Sequence, residues 1–255
     1  MGAALVIEND PSDDVRRLGE WLTEAGLRLE VVRPHAGEPL PEELTGYRAL
    51  VVLGGRQHAY PDADGAPGAP WLPACESLLR KAVRHRVPTL GICLGAQLLA
   101  VAHGGTVAPA ADGPEYGPRL VARRDAAESD PLFARVPFTP DVIQWHEDEI
   151  TELPAGAVLL AASTRCPHQA FRLGTAAWGL QFHIEADVDM VAGWAAAGAE
   201  KLRARGLDPE ALVAATRETT DLIADVWQPF AARFAAVARG ELREAPRPDL
   251  PLLGG

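Results

Sequence analysis

A cysteine stands at a glycine-flanked turn, Gly91-Ile92-Cys93-Leu94-Gly95. Glycines two residues before and two after it suit a strand that enters a helix through one strained residue, because that residue approaches neighbouring backbone closely. Such a turn lifts the side chain above the sheet edge and places the sulfur at a helix N-terminus, which favours thiolate over thiol. Cys93 is therefore a candidate nucleophile. The alternative is a buried structural cysteine, since free cysteine is among the most buried residue types.

A second group of residues, much later in the chain, has what a thiol nucleophile needs. The segment Gly179-Leu180-Gln181-Phe182 leads to His183, and Glu185 follows two residues on. An imidazole can take the thiol proton, and a third group fixes the imidazole's tautomer. A single histidine near a strand end is more often structural than catalytic. In combination with Cys93, however, His183 and Glu185 predict a catalytic triad.

The first hundred residues alternate between apolar runs and amphipathic segments. Short runs predict strands, several of the continuous kind found in buried parallel sheets, and 3.6-residue periodicity predicts helices between them. A helix capped by Ser12 or Asp13 is expected to run to about residue 25. The other predicted strands and helices cover residues 3–7, 29–32, 49–53, 71–86, 87–92 and 96–102. This order predicts an α/β fold with a mostly parallel central sheet flanked by helices, whose strand carboxyl ends carry the site.

The later part of the chain has short strand patterns and then two long helical patterns. We expect one domain over residues 1–240, with a core of 3–187 and C-terminal helices that cover the core or an oligomer interface. The Pro- and Gly-rich tail 241–255 is predicted to be disordered. Predicted strands cover 120–123, 142–144, 157–162, 169–173 and 176–182, and predicted helices cover 188–204 and 209–238.

The two motifs, GICLGAQLLA around Cys93 and GLQFHIE around His183, resemble those of the class I glutamine amidotransferases and occur in the same order. Further matches are Gly54-Gly55 after an apolar strand, the QAFR run at 169–172, and Trp145-His146 before a carboxylate. The resemblance covers roughly residues 5–187. It is closest to stand-alone members similar to the amidotransferase domain of GMP synthase, and it implies a flavodoxin-like fold with no cofactor and no metal.

The resemblance also implies a role for individual residues. Cys93 attacks the glutamine carboxamide, His183 transfers the protons, Glu185 orients His183, and water hydrolyses the resulting γ-glutamyl thioester. The backbone N–H groups of Gly55 and Leu94 form the oxyanion hole. The residues expected to bind the substrate are Gly54, Gln97, Trp145, His146 and Glu147, although His146 can equally be a structural histidine. For Gln97, the i+4 relation to Cys93 favours the site over an exposed helix position.

Two positions depart from the family pattern. Ile184 replaces the proline that usually follows the histidine, which we expect to loosen the backbone between His183 and Glu185. Arg56 replaces the proline that usually follows the double glycine. Its guanidinium is expected either to contact a substrate carboxylate or to point into water.

Composition excludes several function classes. Lys and Arg number 24 against 35 Asp and Glu, a net charge of −11, which disfavours nucleic acid and anionic membranes as partners. Three cysteines without a C-x-x-C pair predict neither a disulfide framework nor a zinc site. The N-terminal segment lacks the pattern of a signal peptide, so we expect a cytoplasmic protein with free thiols.

Three functions remain open from the sequence. The chain can be the glutaminase subunit of an amidotransferase whose acceptor site lies on a synthetase partner, with L-glutamine as substrate. It can be a stand-alone γ-glutamyl hydrolase or peptidase that uses the same triad on another γ-glutamyl amide. The third possibility is a non-enzymatic binding domain, against which the joint presence of Cys93, His183 and Glu185 argues.

Overall fold

The computed structural model describes residues 2–62 and 65–242. Within these residues the strands, in chain order, are β1 (Ala4–Ile7), β2 (Leu29–Val32), β3 (Ala49–Val52), β4 (Thr89–Ile92), β5 (Thr106–Pro109), β6 (Glu115–Leu120), β7 (Ala122–Arg123), β8 (Asp141–His146), β9 (Asp148–Glu152), β10 (Val158–Ala162), β11 (Ala170–Leu173) and β12 (Ala177–Leu180). The α-helices are α1 (Arg16–Glu24), α2 (Leu72–His85), α3 (Leu94–Val101), α4 (Val188–Ala197), α5 (Ala199–Ala204) and α6 (Pro209–Arg239).

The main sheet has the strand order β2-β1-β3-β4-β12-β11-β10-β7. From β2 to β12 neighbouring strands run parallel, and the remaining strands are antiparallel. Two antiparallel pairs, β5 with β9 and β6 with β8, stand beside it. This arrangement confirms the predicted α/β class with a mostly parallel central sheet and flanking helices.

The register of three central strands places the functional segments side by side. Val52 of β3 pairs with Gly91 of β4, and Gly91 also pairs with Gly179 of β12. Parallel strands in register end at the same edge of a sheet. The segments that follow β3, β4 and β12 therefore leave the sheet next to one another.

Alternating strand residues feed two apolar cores, one on each face of the sheet. On one face Ala4 and Val6 pack with α1, α4 and α6, whose largest buried side chains include Trp227 and Phe230. On the other face Leu5 and Ile7 pack with α2 and α3. The predicted covering role of the C-terminal helices agrees with the position of α6.

Several predicted boundaries differ from the structure. α1 begins at Arg16 with Val15 at its N-cap, and neither Ser12 nor Asp13 caps it. The predicted helix 188–204 is broken at Gly198 into α4 and α5. The sequence did not predict β5, β6 and β9. β6 contains Gly117 and Pro118 and lies outside the main sheet, so it lacks the apolar pattern of a central strand. Most of the predicted tail, 243–255, lies outside the described residues.

None of the helices in the described part of the chain has the length and apolar stretch that crossing a bilayer requires.

Two helical glycines offer a matched test of the close contact beneath Cys93. A β-carbon at Gly95 in α3 would lie 2.0 Å from the Val52 carbonyl oxygen, whereas one at Gly193 in α4 would meet nothing within 4 Å. We expect Gly95→Ala to lower the free energy of unfolding by about 1–3 kcal/mol through overpacking. Gly193→Ala should raise it by up to about 1 kcal/mol through helix propensity. Urea unfolding followed by circular dichroism measures both, and equal stability of Gly95→Ala and the parent would contradict the contact.

Candidate active site

Cys93 lies at the junction of β4 and α3 in a strained backbone conformation. Its φ is 50° and its ψ is −108°, outside the regions that side-chain-bearing residues usually adopt. The Cys93 N–H donates to Leu180 O of β12 at 2.8 Å, and Gln97 N–H donates to Cys93 O at 3.0 Å. These bonds hold the turn between sheet and helix. The sulfur therefore stands at the N-terminus of α3, as the sequence predicts.

His183 and Glu185 are brought to the same sheet edge by β12. His183 is 1% exposed, and its backbone N–H donates to Ile143 O of β8 at 2.8 Å. Its Nδ1 lies 2.5 Å from Glu185 Oε1, and Glu185 is fully buried. The carboxylate accepts a hydrogen bond from Nδ1–H, so Nε2 is the ring nitrogen that stays available to another partner. Among the described residues, this buried Nε2 has no hydrogen-bond partner.

The electrostatic surroundings of His183 favour its protonated form. Burial opposes a charged imidazole, but the Glu185 carboxylate and the Cys93 sulfur outweigh this effect and raise the pKa of His183 well above its usual 6.5. An imidazolium beside a cysteine stabilises the thiolate, which is the nucleophilic form. Glu185 and the Cys93 sulfur therefore both favour a positively charged His183 ring.

Backbone from the end of β3 comes close to the start of α3. A β-carbon at Gly55 would lie 3.1 Å from Leu94 Cδ2, so the two residues are close neighbours, and Gly55 lines the cavity described below. As the first residue of α3, Leu94 has an N–H without a helical acceptor. A β-carbon at Gly54 would lie 3.0 Å from His183 Cε1 and 2.7 Å from Asp13 Oδ1, so only glycine fits there without displacing the imidazole.

Two glutamine side chains form a hydrogen-bonded chain that ends at the Cys93 sulfur. Gln181 Nε2 donates to Cys93 Sγ at 3.7 Å, and Gln181 Oε1 accepts from Gln97 Nε2 at 3.2 Å. Gln97 Nε2 also donates to Asp148 O at 3.2 Å. Gln97 lines the cavity as predicted, but its amide nitrogen is already used in orienting Gln181. Gln181 was not among the predicted site residues.

Cys93 opens into a cavity of about 660 Å³. One wall is aromatic: Trp145 of β8 packs against Trp194 of α4 at 5.4 Å between ring centroids and against Tyr116 at 5.1 Å. Trp194 also meets the His183 ring edge-on at 4.8 Å, and its indole N–H donates to Ser12 O at 3.0 Å. The sequence predicted Trp145 in this cavity but not Trp194, because the apolar pattern of the α4 region indicated only a helix that covers the core or an oligomer interface.

Two other predicted substrate residues, His146 and Glu147, also line the cavity. Glu147 forms an ion pair with Lys201 of α5 and accepts a hydrogen bond from Tyr116 Oη at 3.0 Å. Burial opposes its charge, but Lys201 and Tyr116 lower the pKa of Glu147 overall. His146 is 4% exposed, and its two ring nitrogens face Glu115 Oε2 and Asp148 O.

The two departures from the family pattern have clear structural settings. Ile184 is fully buried in the core, and Glu185 still lies within hydrogen-bond distance of His183, so the expected loosening does not occur. Arg56 stands at the cavity rim with its side chain 73% exposed, and its Nε lies 3.1 Å from Asp10 Oδ2. Its guanidinium is paired within the protein rather than free.

Asp13 is an unpredicted carboxylate beside the triad. It lines the cavity and is 6% exposed, and Ser12 Oγ donates to its Oδ2 at 2.8 Å. Burial raises the pKa of Asp13 to about 6, although the His183 charge and the Ser12 hydrogen bond oppose the shift. Sequence analysis treated Asp13 as a helix cap, and no local signal distinguishes a cap from a carboxylate that reaches a distant strand.

Comparison with known proteins is consistent with this geometry. The family described as "Glutamine amidotransferase class-I" matches residues 15–189. The chain is 32% identical to the glutamine amidotransferase-like protein YfeJ of Salmonella typhimurium over 174 residues, 68% of this chain and 72% of that protein. It is 38% identical to GMP synthase of Thermomicrobium roseum over 54% of this chain, but this spans only 23% of that enzyme.

Other relatives have a different described activity. Gamma-glutamyl peptidase 3 of Arabidopsis thaliana is 30% identical over 166 residues, 64% of each protein. Among solved structures, a glutamine amidotransferase from Thermotoga maritima superimposes with a TM-score of 0.80 at 26% identity, covering 92% of this chain and 98% of that one. The family match ends before Trp194, so the α4 wall of the cavity lies outside the matched residues.

Because the backbone at Cys93 is strained, we expect replacement by glycine to be less destabilising than replacement by alanine, the reverse of the usual order. Its φ and ψ are the mirror image of an extended conformation, which glycine adopts readily and alanine does not. Relief of about 1–3 kcal/mol of strain exceeds the roughly 0.4–1 kcal/mol entropic penalty of glycine. We expect Cys93→Gly to be more stable than Cys93→Ala by about 1 kcal/mol in chemical denaturation. An alanine variant at least as stable would argue that the turn is relaxed.

The raised pKa of Asp13 predicts that replacing this residue stabilises the protein at high pH but not at low pH. Its native pKa of about 6 lies above the unfolded value of 3.8, so its favourable contribution is complete below pH 3.8 and is lost as pH rises through 6. We expect Asp13→Asn to raise the free energy of unfolding at pH 8 by up to about 3 kcal/mol, with the difference vanishing near pH 4. Urea titrations at several pH values measure this.

The matched control is Asp14→Asn, because the Asp14 carboxylate is 39% exposed and forms an ion pair with the exposed Arg16. This variant should differ little from the parent at any pH. A pH-independent effect of Asp13→Asn would refute the assignment of a buried, titrating carboxyl group.

Proposed function

The chain belongs to the class I glutamine amidotransferase family, and from this membership we propose that it hydrolyses a γ-glutamyl amide through a thioester on Cys93. One observation carries the proposal. Cys93 lines the cavity, the buried His183 ring interacts with the Cys93 sulfur and with Glu185, and the His183 Nε2 has no other hydrogen-bond partner in the described structure. This is the arrangement that acyl transfer to a thiol requires.

In the first step the Cys93 thiolate attacks the γ-carbonyl carbon of the substrate. The carbonyl π electrons move to oxygen, and the N–H groups of Gly55 and Leu94 are proposed to donate to the resulting oxyanion. Gln181 Nε2, which donates to the sulfur in the resting site, loses that contact as the thiolate charge is consumed. The imidazolium of His183 then stands beside the leaving nitrogen.

In the second step the C–N bond breaks as His183 Nε2–H gives its proton to the leaving amine. Glu185 retains the Nδ1 hydrogen bond throughout and stabilises the imidazolium. The now neutral His183 takes a proton from water, whose oxygen attacks the thioester carbonyl. The C–S bond breaks, glutamate leaves, and the proton on His183 restores the thiolate–imidazolium pair.

For the substrate we propose L-glutamine first, with the ammonia passed to an acceptor on a synthetase partner. The relatives named glutamine-hydrolysing GMP synthase support this proposal, and the chain matches about a quarter of the length of each. Gln97, Trp145, His146 and Glu147 are proposed to line the glutamine site together with Gly54 and Gly55.

A second substrate class is a γ-glutamyl peptide or other substituted amide, hydrolysed without a partner. The observation in its favour is cavity size: about 660 Å³ lies within the range of sites for drug-sized ligands, which are much larger than glutamine. The aromatic wall of Trp145 and Trp194 would contact the leaving group. The relative named gamma-glutamyl peptidase 3 also supports this class.

Triad substitutions test the shared chemistry. Cys93→Ala should abolish amide hydrolysis, because no other group in the cavity can form the thioester. Glu185→Gln should lower kcat/KM by about 10²–10⁴-fold, since the imidazolium loses its compensating charge but the thiol remains. Cys75→Ala, which removes an equally buried thiol in α2, is the control and should retain activity.

The assay compares L-glutamine with γ-glutamyl dipeptides on the purified chain. Ammonia release from glutamine that rises when a synthetase is added supports the subunit function, whereas fast dipeptide cleavage by the chain alone supports the hydrolase. Turnover of neither substrate, together with no labelling of Cys93 by a glutamine-like diazoketone, would refute the enzymatic proposal.

A further inference from the structure

Behind the cavity wall, three buried side chains from separate segments converge. Glu115 of β6, His146 of β8 and Cys166, in the turn before β11, each offer one ligand atom, and these atoms lie within 4.8 Å of one another. The three residues are 5%, 4% and 1% exposed. A carboxylate, an imidazole and a thiol so close together in the interior need an electrostatic explanation.

The protonation of His146 is fixed by its backbone partner. Nδ1 lies 2.9 Å from Asp148 O, and a carbonyl oxygen only accepts, so Nδ1 carries a proton. In the neutral ring, Nε2 then presents a lone pair. This nitrogen is buried, has no hydrogen-bond partner in the described part of the chain, and lies 3.3 Å from Glu115 Oε2. Two acceptors at that distance repel unless a proton or a metal ion lies between them.

The groups around the cluster are arranged as they are around metal ligands. A metal-binding histidine usually donates its other N–H to a backbone carbonyl, and ligating carboxylates are themselves hydrogen-bonded. Here Nδ1–H of His146 donates to Asp148 O. Glu115 Oε2 accepts from Gln169 Nε2 at 3.0 Å, and Gln144 Nε2 orients that amide by donating to Gln169 Oε1 at 2.9 Å.

A fourth donor is close by. Glu149 is 5% exposed, contacts the Cys166 thiol, and has an Oε2 that is buried without a hydrogen-bond partner among the described residues. No lysine or arginine of the described ranges forms an ion pair with Glu115 or Glu149, so their charges are otherwise compensated only by His146. Glu115 also lines a separate cavity of about 270 Å³.

The donor set selects the kind of ion. Thiolate, imidazole and carboxylate together suit zinc, whereas magnesium and calcium prefer oxygen ligands alone. Tetrahedral bonds of about 2.0 Å to N and O place those two atoms about 3.3 Å apart. The distance from His146 Nε2 to Glu115 Oε2, 3.3 Å, agrees with this value.

We propose that Glu115, His146 and Cys166 bind a structural zinc ion that joins β6, β8 and the turn before β11, with Glu149 or water as the fourth ligand. The ion would fix the segment 145–147, whose other side lines the active-site cavity. It would take no part in the thioester chemistry. The spacing of the cysteines in the sequence does not predict this site, because its ligands come from three distant segments.

The test uses the full chain and measures metal binding rather than turnover. After removal of metal with a chelator, the protein is titrated with Zn²⁺, and its zinc content and thermal midpoint are measured. Co²⁺ is then substituted, because a cobalt–thiolate bond gives an ultraviolet charge-transfer band. We expect one zinc per chain, a higher thermal midpoint with zinc, and a cobalt–thiolate band.

Three cysteine variants locate the ion. Cys166→Ala should lose the cobalt band and weaken zinc binding more than about 100-fold, since losing a ligand exceeds the cost of losing a supporting group. Cys75→Ala and Cys93→Ala should retain the band. The Cys93→Ala result also keeps this test independent of the proposed hydrolase activity.

Two outcomes would overturn the proposal. In the first, the folded parent chain binds neither zinc nor cobalt, so that a shared proton alone occupies the cluster. In the second, the band disappears in Cys93→Ala and persists in Cys166→Ala, which would place the ion at the nucleophilic thiol. If Cys166→Ala does not fold, the titrations of the parent and of Cys93→Ala still decide between these outcomes.

Discussion

The parallel register of β3, β4 and β12 is the constraint on which the site depends. These strands end together, so the double glycine, the cysteine turn and the histidine segment leave the sheet as neighbours. The contact is close because Gly95 lets α3 approach the Val52 carbonyl and Gly54 leaves room for the His183 ring. A shift of one residue in either pairing would turn the following side chains to the opposite face of the sheet.

Much of this arrangement was predictable from local sequence. The strained turn at Cys93 has glycines at fixed offsets, and the β/α alternation fixes the edge at which it appears. What local sequence did not reveal are contacts between distant segments. Asp13 and Trp194 both lie beside His183, but the sequence around Asp13 indicates only a helix cap, and that around Trp194 only a helix packed on the core. Gln181 contacts the Cys93 sulfur because β12 lies beside β4. The same limit applies to β6, whose Gly117 and Pro118 hide its pairing with β8.

The site concentrates negative charge around one imidazole. Glu185 and Asp13 are both buried beside His183, and the Cys93 thiolate adds a third anion when it forms. Ile184 contributes through packing, since its burial in the core fixes the backbone between histidine and carboxylate in place of a proline. The two carboxylates differ in environment: Glu185 holds the ring by a direct hydrogen bond, whereas Asp13 is held by Ser12 and acts across space.

The position of β12 also governs the order in which the chain can fold. This strand lies between β4 and β11 in the middle of the sheet, yet it is the last of the strands in the described sequence. During synthesis, β1 to β4 leave the ribosome long before β12, so the edge of β4 that pairs with β12 stays without its partner during that time. Non-local pairing of this kind slows folding and exposes a strand edge to other chains. We therefore expect the nascent N-terminal half to expose a strand edge that favours aggregation.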